Sequence, residues 1–160
     1  MLPVMNQTRR SLSLLMISVF VWMMLGAIAN AQSAVDRAKI LATNEAFYEA
    51  FRTGDLDKMQ GVWSPSREVG MIPPGRDFLL GINRIMAAFQ LMMLRPPEIE
   101  CQLEAPIEFR DNKAILICDE PLGVSDSIRM MNVFAPEELD GETEWKMIYH
   151  GPAGEDNRRT

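Results

Sequence analysis

Glu98-Ile-Glu-Cys-Gln-Leu-Glu-Ala-Pro-Ile-Glu-Phe109, then Arg-Asp-Asn, then Lys113-Ala-Ile-Leu-Ile-Cys-Asp-Glu120, is the stretch that decides the fold. In its first part Ile99, Cys101, Leu103, Ala105, Ile107 and Phe109 alternate with Glu98, Glu100, Gln102, Glu104 and Glu108. A period of two with acids on one side predicts a half-buried antiparallel strand, wet on one face. Asp111-Asn112 supplies turn chemistry. The second part is apolar from Ala114 to Cys118, so a strand over Lys113–Glu120 follows and pairs back on the first.

Two more strands are expected downstream, Ser127–Phe134 and Trp145–His150, separated by an acidic loop, Ala-Pro-Glu-Glu-Leu-Asp-Gly-Glu-Thr-Glu, over 135–144. Upstream the period changes. Ile40, Leu41, Asn44, Phe47, Tyr48 and Phe51 recur at spacings of three and four, which predicts a helix over 34–52. Thr53-Gly54 ends it, and Asp55 caps a short second helix reaching Trp63. A brief extended segment near Glu68–Ile72 stops at Pro73-Pro74-Gly75. A third helix over Leu80–Leu94 carries Ile82, Ile85, Met86, Phe89, Met92 and Met93 on one face and ends at Arg95-Pro96-Pro97. Helices first and strands second is an α+β order. The expected architecture is a strongly curved antiparallel sheet with three helical segments on its concave side.

The first 31 residues are not part of that domain. Arg9 and Arg10 precede the uncharged run 11–28, and Ala29-Asn30-Ala31 closes it. This is the form of a signal peptide cleaved after Ala31, which addresses the chain to the periplasm or the exterior. The run is also long enough for an uncleaved membrane anchor. Cleavage leaves 160 − 31 = 129 residues: one domain over 32–154 and a polar tail over 155–160. The 16 basic residues lose two with the leader and the 22 acids lose none, so the mature chain carries 14 − 22 = −8. That charge argues against nucleic acid and, once the leader is gone, against an anionic membrane as partner.

Cys101 and Cys118 make an even count that invites a disulfide in an exported chain. The hairpin register speaks against it. A two-residue turn at 111–112 pairs residues whose numbers sum to 223, which separates the two cysteines by four residues, about 13 Å at ~3.3 Å per residue. Two free, buried thiols are therefore expected. With one histidine, His150, and no Cys/His spacing, no metal site and no cofactor are expected. Eight methionines beyond the leader lack the close repeats of a copper site, and suit flexible packing.

The order of the segments Ile40–Trp63, Pro73–Gly75, Leu79–Phe89, Ile99–Phe109, Ala114–Glu120, Met130–Glu137 and Trp145–Gly154 resembles the SnoaL-like branch of the nuclear transport factor 2-like superfamily. The resemblance covers about Ala38 to Gly154. It implies a cone with a deep apolar pocket and a homodimer through the sheet. It does not imply one activity, since isomerases, cyclases, dehydratases, binding domains and assembly modules share the fold. Relatives commonly carry histidine where this chain has Pro73, and a second histidine where it has Tyr149. Asp77, Glu120, Asn132 and His150 stand at matching positions.

Each candidate has a bland reading beside its functional one. His150 is a base at the pocket edge or a histidine at a strand end. Asp77 is a base at the pocket mouth or an acid leading a helix. Glu120 shares parity with Ala114, Leu116 and Cys118, and a carboxylate on an apolar face is costly unless paired. Asn44 and Asn132 cap backbone groups or bond each other. The Pro-Pro-Gly corner lacks the N–H groups of a phosphate cradle, and Arg76 beside it is an exposed arginine. The expected function is binding of a small apolar or amphipathic molecule, with Trp63, Met71, Phe89, Met93, Met131, Asn132, Phe134 and Tyr149 as the wall. The alternatives are a cofactor-free isomerase, dehydratase or hydrolase using Glu120 or Asp77 with His150, and a dimeric interaction module. The proline at 73 weighs against the enzyme.

Overall fold

The computed structural model describes residues 33–122 and 126–154. The expected leader and the tail over 155–160 lie outside them. The chain divides at Arg37/Ala38, within the first helix, and the core, sheet and site described below all belong to the unit from Ala38 onward. Helix α1 covers 33–53. Its stripe is Ile40, Asn44, Phe47, Tyr48 and Phe51, all buried, whereas Leu41 is exposed. At its end Gly54 takes φ 70° and the Asp55 N–H bonds the Ala50 carbonyl at 3.0 Å, a left-handed Schellman stop that glycine adopts without strain. Asp55 then caps α2 (Leu56–Val62), accepting from the Lys58 N–H at 2.9 Å.

The remaining elements are β1 (Gly70–Met71), β2 (Leu79–Leu80), α3 (Ile82–Met92), β3 (Gln102–Leu103), β4 (Glu108–Arg110), β5 (Lys113–Leu122), β6 (Asp126–Leu139) and β7 (Glu142–Pro152). They form one unclosed sheet in the order β2-β1-β7-β6-β5-β3, with β4 also on β5. Every pairing is antiparallel except β1 on β7, which runs parallel. Pro73 to Arg76 is a tight turn, closed by the Arg76 N–H on the Pro73 carbonyl at 3.0 Å with Gly75 at φ 67°. The Pro-Pro-Gly corner therefore joins two short strands, and the helix follows the second. One apolar core joins α1, α2, α3 and the inner face of the sheet through Phe47, Met59, Trp63, Phe89, Leu116 and Met147.

Three expectations are corrected. The acidic segment 135–144 is not a loop. β6 runs to Leu139, β7 starts at Glu142, and Asp140 (φ 52°) and Gly141 (φ 82°) make a two-residue hairpin turn. Acidity hid an Asp-Gly signal that needs only two residues. Next, the strand over 98–109 is broken. β4 keeps the expected sum of 223, with Arg110 on Lys113, but β3 pairs Leu103 with Cys118, a sum of 221. Two extra residues are taken up between them, where Ala105 bends and Pro106 has no N–H for the ladder. The third correction follows from the second. Cys101 and Cys118 are not free thiols. They form a disulfide with their Cα atoms 4.9 Å apart. The two-residue slip carries Cys101 toward Cys118, so a register propagated unbroken from the turn overstated their separation.

Candidate functional site

Inside an otherwise apolar core lies a polar cluster drawn from α1 and the three long strands. Asn44 and Tyr48 stand one turn apart on α1, Glu120 on β5, Asn132 on β6 and His150 on β7. All five are buried. The register explains how they meet. Asn132 pairs with Leu116 on one side and His150 on the other. A bulge between Val133 and Phe134 leaves Ile148 without a partner. It allows both Met147, paired with Phe134, and His150, paired with Asn132, to face inward, although strict alternation would separate them.

The hydrogen bonds run in one direction. The His150 Nδ1 lies 2.7 Å from the Asn132 Oδ1, so Nδ1 carries the proton. The Asn132 Nδ2 donates to the Asn44 Oδ1 at 2.8 Å and the Tyr48 Oη at 3.1 Å, and lies 3.5 Å from the Cys118 Sγ. The Tyr48 hydroxyl donates to the Glu120 Oε1 at 2.5 Å. Among the described residues no cation pairs with Glu120. Burial, only partly offset by the bond from Tyr48, raises its carboxyl from 4.5 to about 7. Burial and the neighbouring Glu120 push the Tyr48 hydroxyl up, well beyond an ordinary phenol. Burial lowers His150 to about 3, so its imidazole is neutral, resting on the ring of Phe47 at 4.8 Å between centroids. At neutral pH the cluster is thus a chain of neutral donors and acceptors ending in a carboxyl that gains or loses a proton.

A cleft of about 620 Å³ opens beside it, lined by Glu45 and Arg52 of α1, by Glu98, Ile99, Glu100 and Cys101, and by Pro121 of β5. Pro121 follows Glu120 in the chain, and Cys101 is bonded to Cys118 of the cluster. Arg52 donates to the Ile99 carbonyl at 3.1 Å and pairs with Glu45.

Of the residues singled out in the sequence, Glu120, His150, Asn132 and Asn44 come together. Asp77 does not join them. It is exposed, in a separate groove of about 350 Å³ with Pro73, Arg76 and Leu91. Trp63, Met71, Phe89 and Phe134 are packed into the core, with Met93 at its margin. Met131 is half-buried on the other face of β6 from Asn132. Tyr149 is likewise outside, because the bulge turns His150 inward in its place; its hydroxyl lies against Gly151, where a Cβ would come within 2.5 Å. Tyr48 is the member that sequence reasoning missed as a polar group. Its position four residues after Asn44, on the same buried stripe, was the signal.

Residues 40–151 match the SnoaL-like domain family. Among solved structures the chain is similar to a putative calcium/calmodulin-dependent protein kinase type II association domain from Thiobacillus denitrificans. The two share 27% identity over 70% of this chain and 93% of that one, at a TM-score of 0.55. It is also similar to a putative dehydratase of the NTF2-like family from Streptomyces avermitilis, 20% identical over 76% of this chain and 98% of that one, at a TM-score of 0.60. An NTF2-like protein of unknown function from Pseudomonas putida aligns at 14% identity over 80% and 94%, with a TM-score of 0.54. The last two likenesses bear on the fold alone. No curated protein matches.

Proposed function

From the premise that the chain belongs to the SnoaL-like domain family, we propose that it binds a small, uncharged amphipathic molecule. The ligand enters at the cleft beside Cys101 and is recognised by the Tyr48–Glu120 end of the polar cluster. The observation that carries this reading is Glu120, 1% exposed and without a cationic partner among the described residues. Burying such a carboxyl costs stability, and a purely apolar side chain would pack there more cheaply. As a neutral acid it donates to a carbonyl or hydroxyl on the ligand, while an anionic ligand meets a site that disfavours charge. Native mass spectrometry across neutral and anionic amphiphiles tests this. A one-to-one adduct of the oxidised or the reduced protein with a neutral member, absent for its acidic analogue, is expected; no adduct with any neutral member in either form overturns the proposal.

A second reading is cofactor-free acid–base catalysis, as isomerase, dehydratase or hydrolase, with His150 as Glu120's partner. It is favoured by one fact: Glu120 at about 7 is matched to neutral-pH proton transfer. Turnover of an enolisable ketone, lost in Glu120→Ala, supports it.

Export belongs to the same proposal. The disulfide supports an oxidising compartment, consistent with a cleaved leader before residue 32. So does a homodimer through the outer sheet face, where Ile115, Ile117 and Met131 are half-buried. That one similar structure is described as an association domain supports self-association in general. Sedimentation of the oxidised protein tests it, and a monomer at high concentration rejects it.

A further inference from the structure

The disulfide sits where the cleft and the buried cluster meet. Its two sulfurs are unequal. Cys118 is fully buried, while Cys101 is half-buried and lines the cleft. The segment holding Cys101 is weakly tied. β3 is two residues long and Pro106 breaks the ladder beyond it. Among the described residues the other polar ties of 98–104 to neighbouring elements are the Glu104 N–H on the Ile117 carbonyl at 3.1 Å, Arg52 on the Ile99 carbonyl at 3.1 Å and the solvent-facing Arg129–Glu104 pair. Continuing the register of Gln102 on Asp119 by one residue sets Cys101 level with Glu120. The bonded segment therefore covers the sheet edge at the residue that the proposed ligand must reach. On the inner side, the Cys118 Sγ contacts Asn132, the hub of the cluster.

We propose that the Cys101–Cys118 disulfide is a redox latch on this site. It rests on the binding reading above for its purpose, but not for its operation. A thiolate of an external dithiol attacks the Cys101 Sγ, the more accessible sulfur. The Cys101–Cys118 bond breaks, and Cys118 leaves as thiolate and takes up a proton. The dithiol's second sulfur then attacks the first, releasing Cys101 as a thiol and leaving the dithiol oxidised to a disulfide. Two electrons and two protons pass to the protein. The 98–103 segment, left with a two-residue ladder and the Arg52 bond to the Ile99 carbonyl, swings off β5, and Glu120 opens to the cleft. The oxidised protein is the closed form.

Hydrogen–deuterium exchange of the full-length protein, without ligand, with and without dithiothreitol, tests the latch. Reduction is expected to speed exchange at least tenfold in peptides covering 98–104 and Glu120, and to leave the β6–β7 hairpin unchanged. The Cys101→Ser variant is expected to behave as the reduced protein without reductant. Unchanged exchange over 98–104 overturns the proposal, and so does loss of protection throughout, which would make the bridge a staple of the whole domain. The two readings fail separately. A latch that opens while neither form binds a neutral amphiphile leaves the latch and removes the function. Binding that is unaffected by reduction, with static exchange, does the reverse.

Discussion

Glu120 and Glu137 are buried to a similar depth, at 1% and 7% exposure, and are held in opposite ways. Glu137, on β6, has a cation beside it: the Arg67 Nε lies 3.5 Å away, on a side chain that reaches solvent. It also accepts from the Ser64 hydroxyl, which in turn accepts from the Arg67 N–H at 2.9 Å. Among the described residues its other oxygen has no hydrogen-bond partner. This is a corner fastening between β6 and the chain leaving α2, and Arg67 reinforces it by bonding the Pro136 carbonyl at 2.9 Å. Glu120 has no such cation among the described residues. It ends a chain of neutral hydrogen bonds among four other buried side chains. Burial alone therefore does not mark a site. What distinguishes Glu120 is a carboxyl whose proton is held by burial up to about pH 7 instead of one matched by a charge.

The largest effect that could break this contrast comes from the hub. Asn132→Leu strands the His150 Nδ1–H and the Asn44 Oδ1 in the core, at about 1–3 kcal/mol for each orphaned group. A drop of roughly 3 kcal/mol or more in unfolding free energy by denaturant titration is expected. A change below about 1 kcal/mol would show that the cluster is not one network.

The second test uses pH. His150 is lowered from 6.5 to about 3. Between those values the unfolded chain binds a proton that the folded chain refuses, so stability rises with pH across that window and is lost as pH falls. Glu120 is raised from 4.5 to about 7. Between those values the folded chain keeps a proton that the unfolded chain releases, so stability falls as pH rises. Each slope is about 1.4 kcal/mol per pH unit. Across the overlap, from 4.5 to 6.5, the two cancel. Glu120→Gln should expose a stability that climbs with pH toward 6.5. His150→Gln should expose one that declines from 4.5 toward 7. Melting midpoints across pH decide it, and equal profiles in the two variants contradict the assignment.

A smaller effect, about 1–2 kcal/mol, is expected from Tyr48→Phe, which removes the longer bond accepted from Asn132 and the short one donated to Glu120. Because the short bond holds Glu120 down, its loss should also move the Glu120 midpoint above 7. The smallest is Arg67→Gln at the other glutamate, under about 1 kcal/mol, because the pair is half open to water. A loss as large as that of Asn132→Leu would erase the distinction between the two sites.

The sequence made the helices legible because their buried stripes are continuous and their stops carry glycine or proline. Glu120 and Asn132 were legible as polar residues in apolar strands. Three features were not. Pro106 shifts the register by two and so joins Cys101 to Cys118, an effect that counting from the turn does not reveal. The bulge at Ile148 exchanges the faces of Tyr149 and His150, and a period of two cannot announce its own interruption. Glu137 lay inside a segment whose acids suggested solvent, although Ser64 and Arg67, some seventy residues earlier, hold it in.

The central claim is that Glu120 carries a proton near neutrality. Carbon-13 NMR titration of the protein labelled at the glutamate carboxyl reads it directly. One resonance with a midpoint near 7 that disappears in Glu120→Gln is expected. If every glutamate titrates near its ordinary value of 4.5, the carboxyl is charged at neutral pH and the claim is wrong.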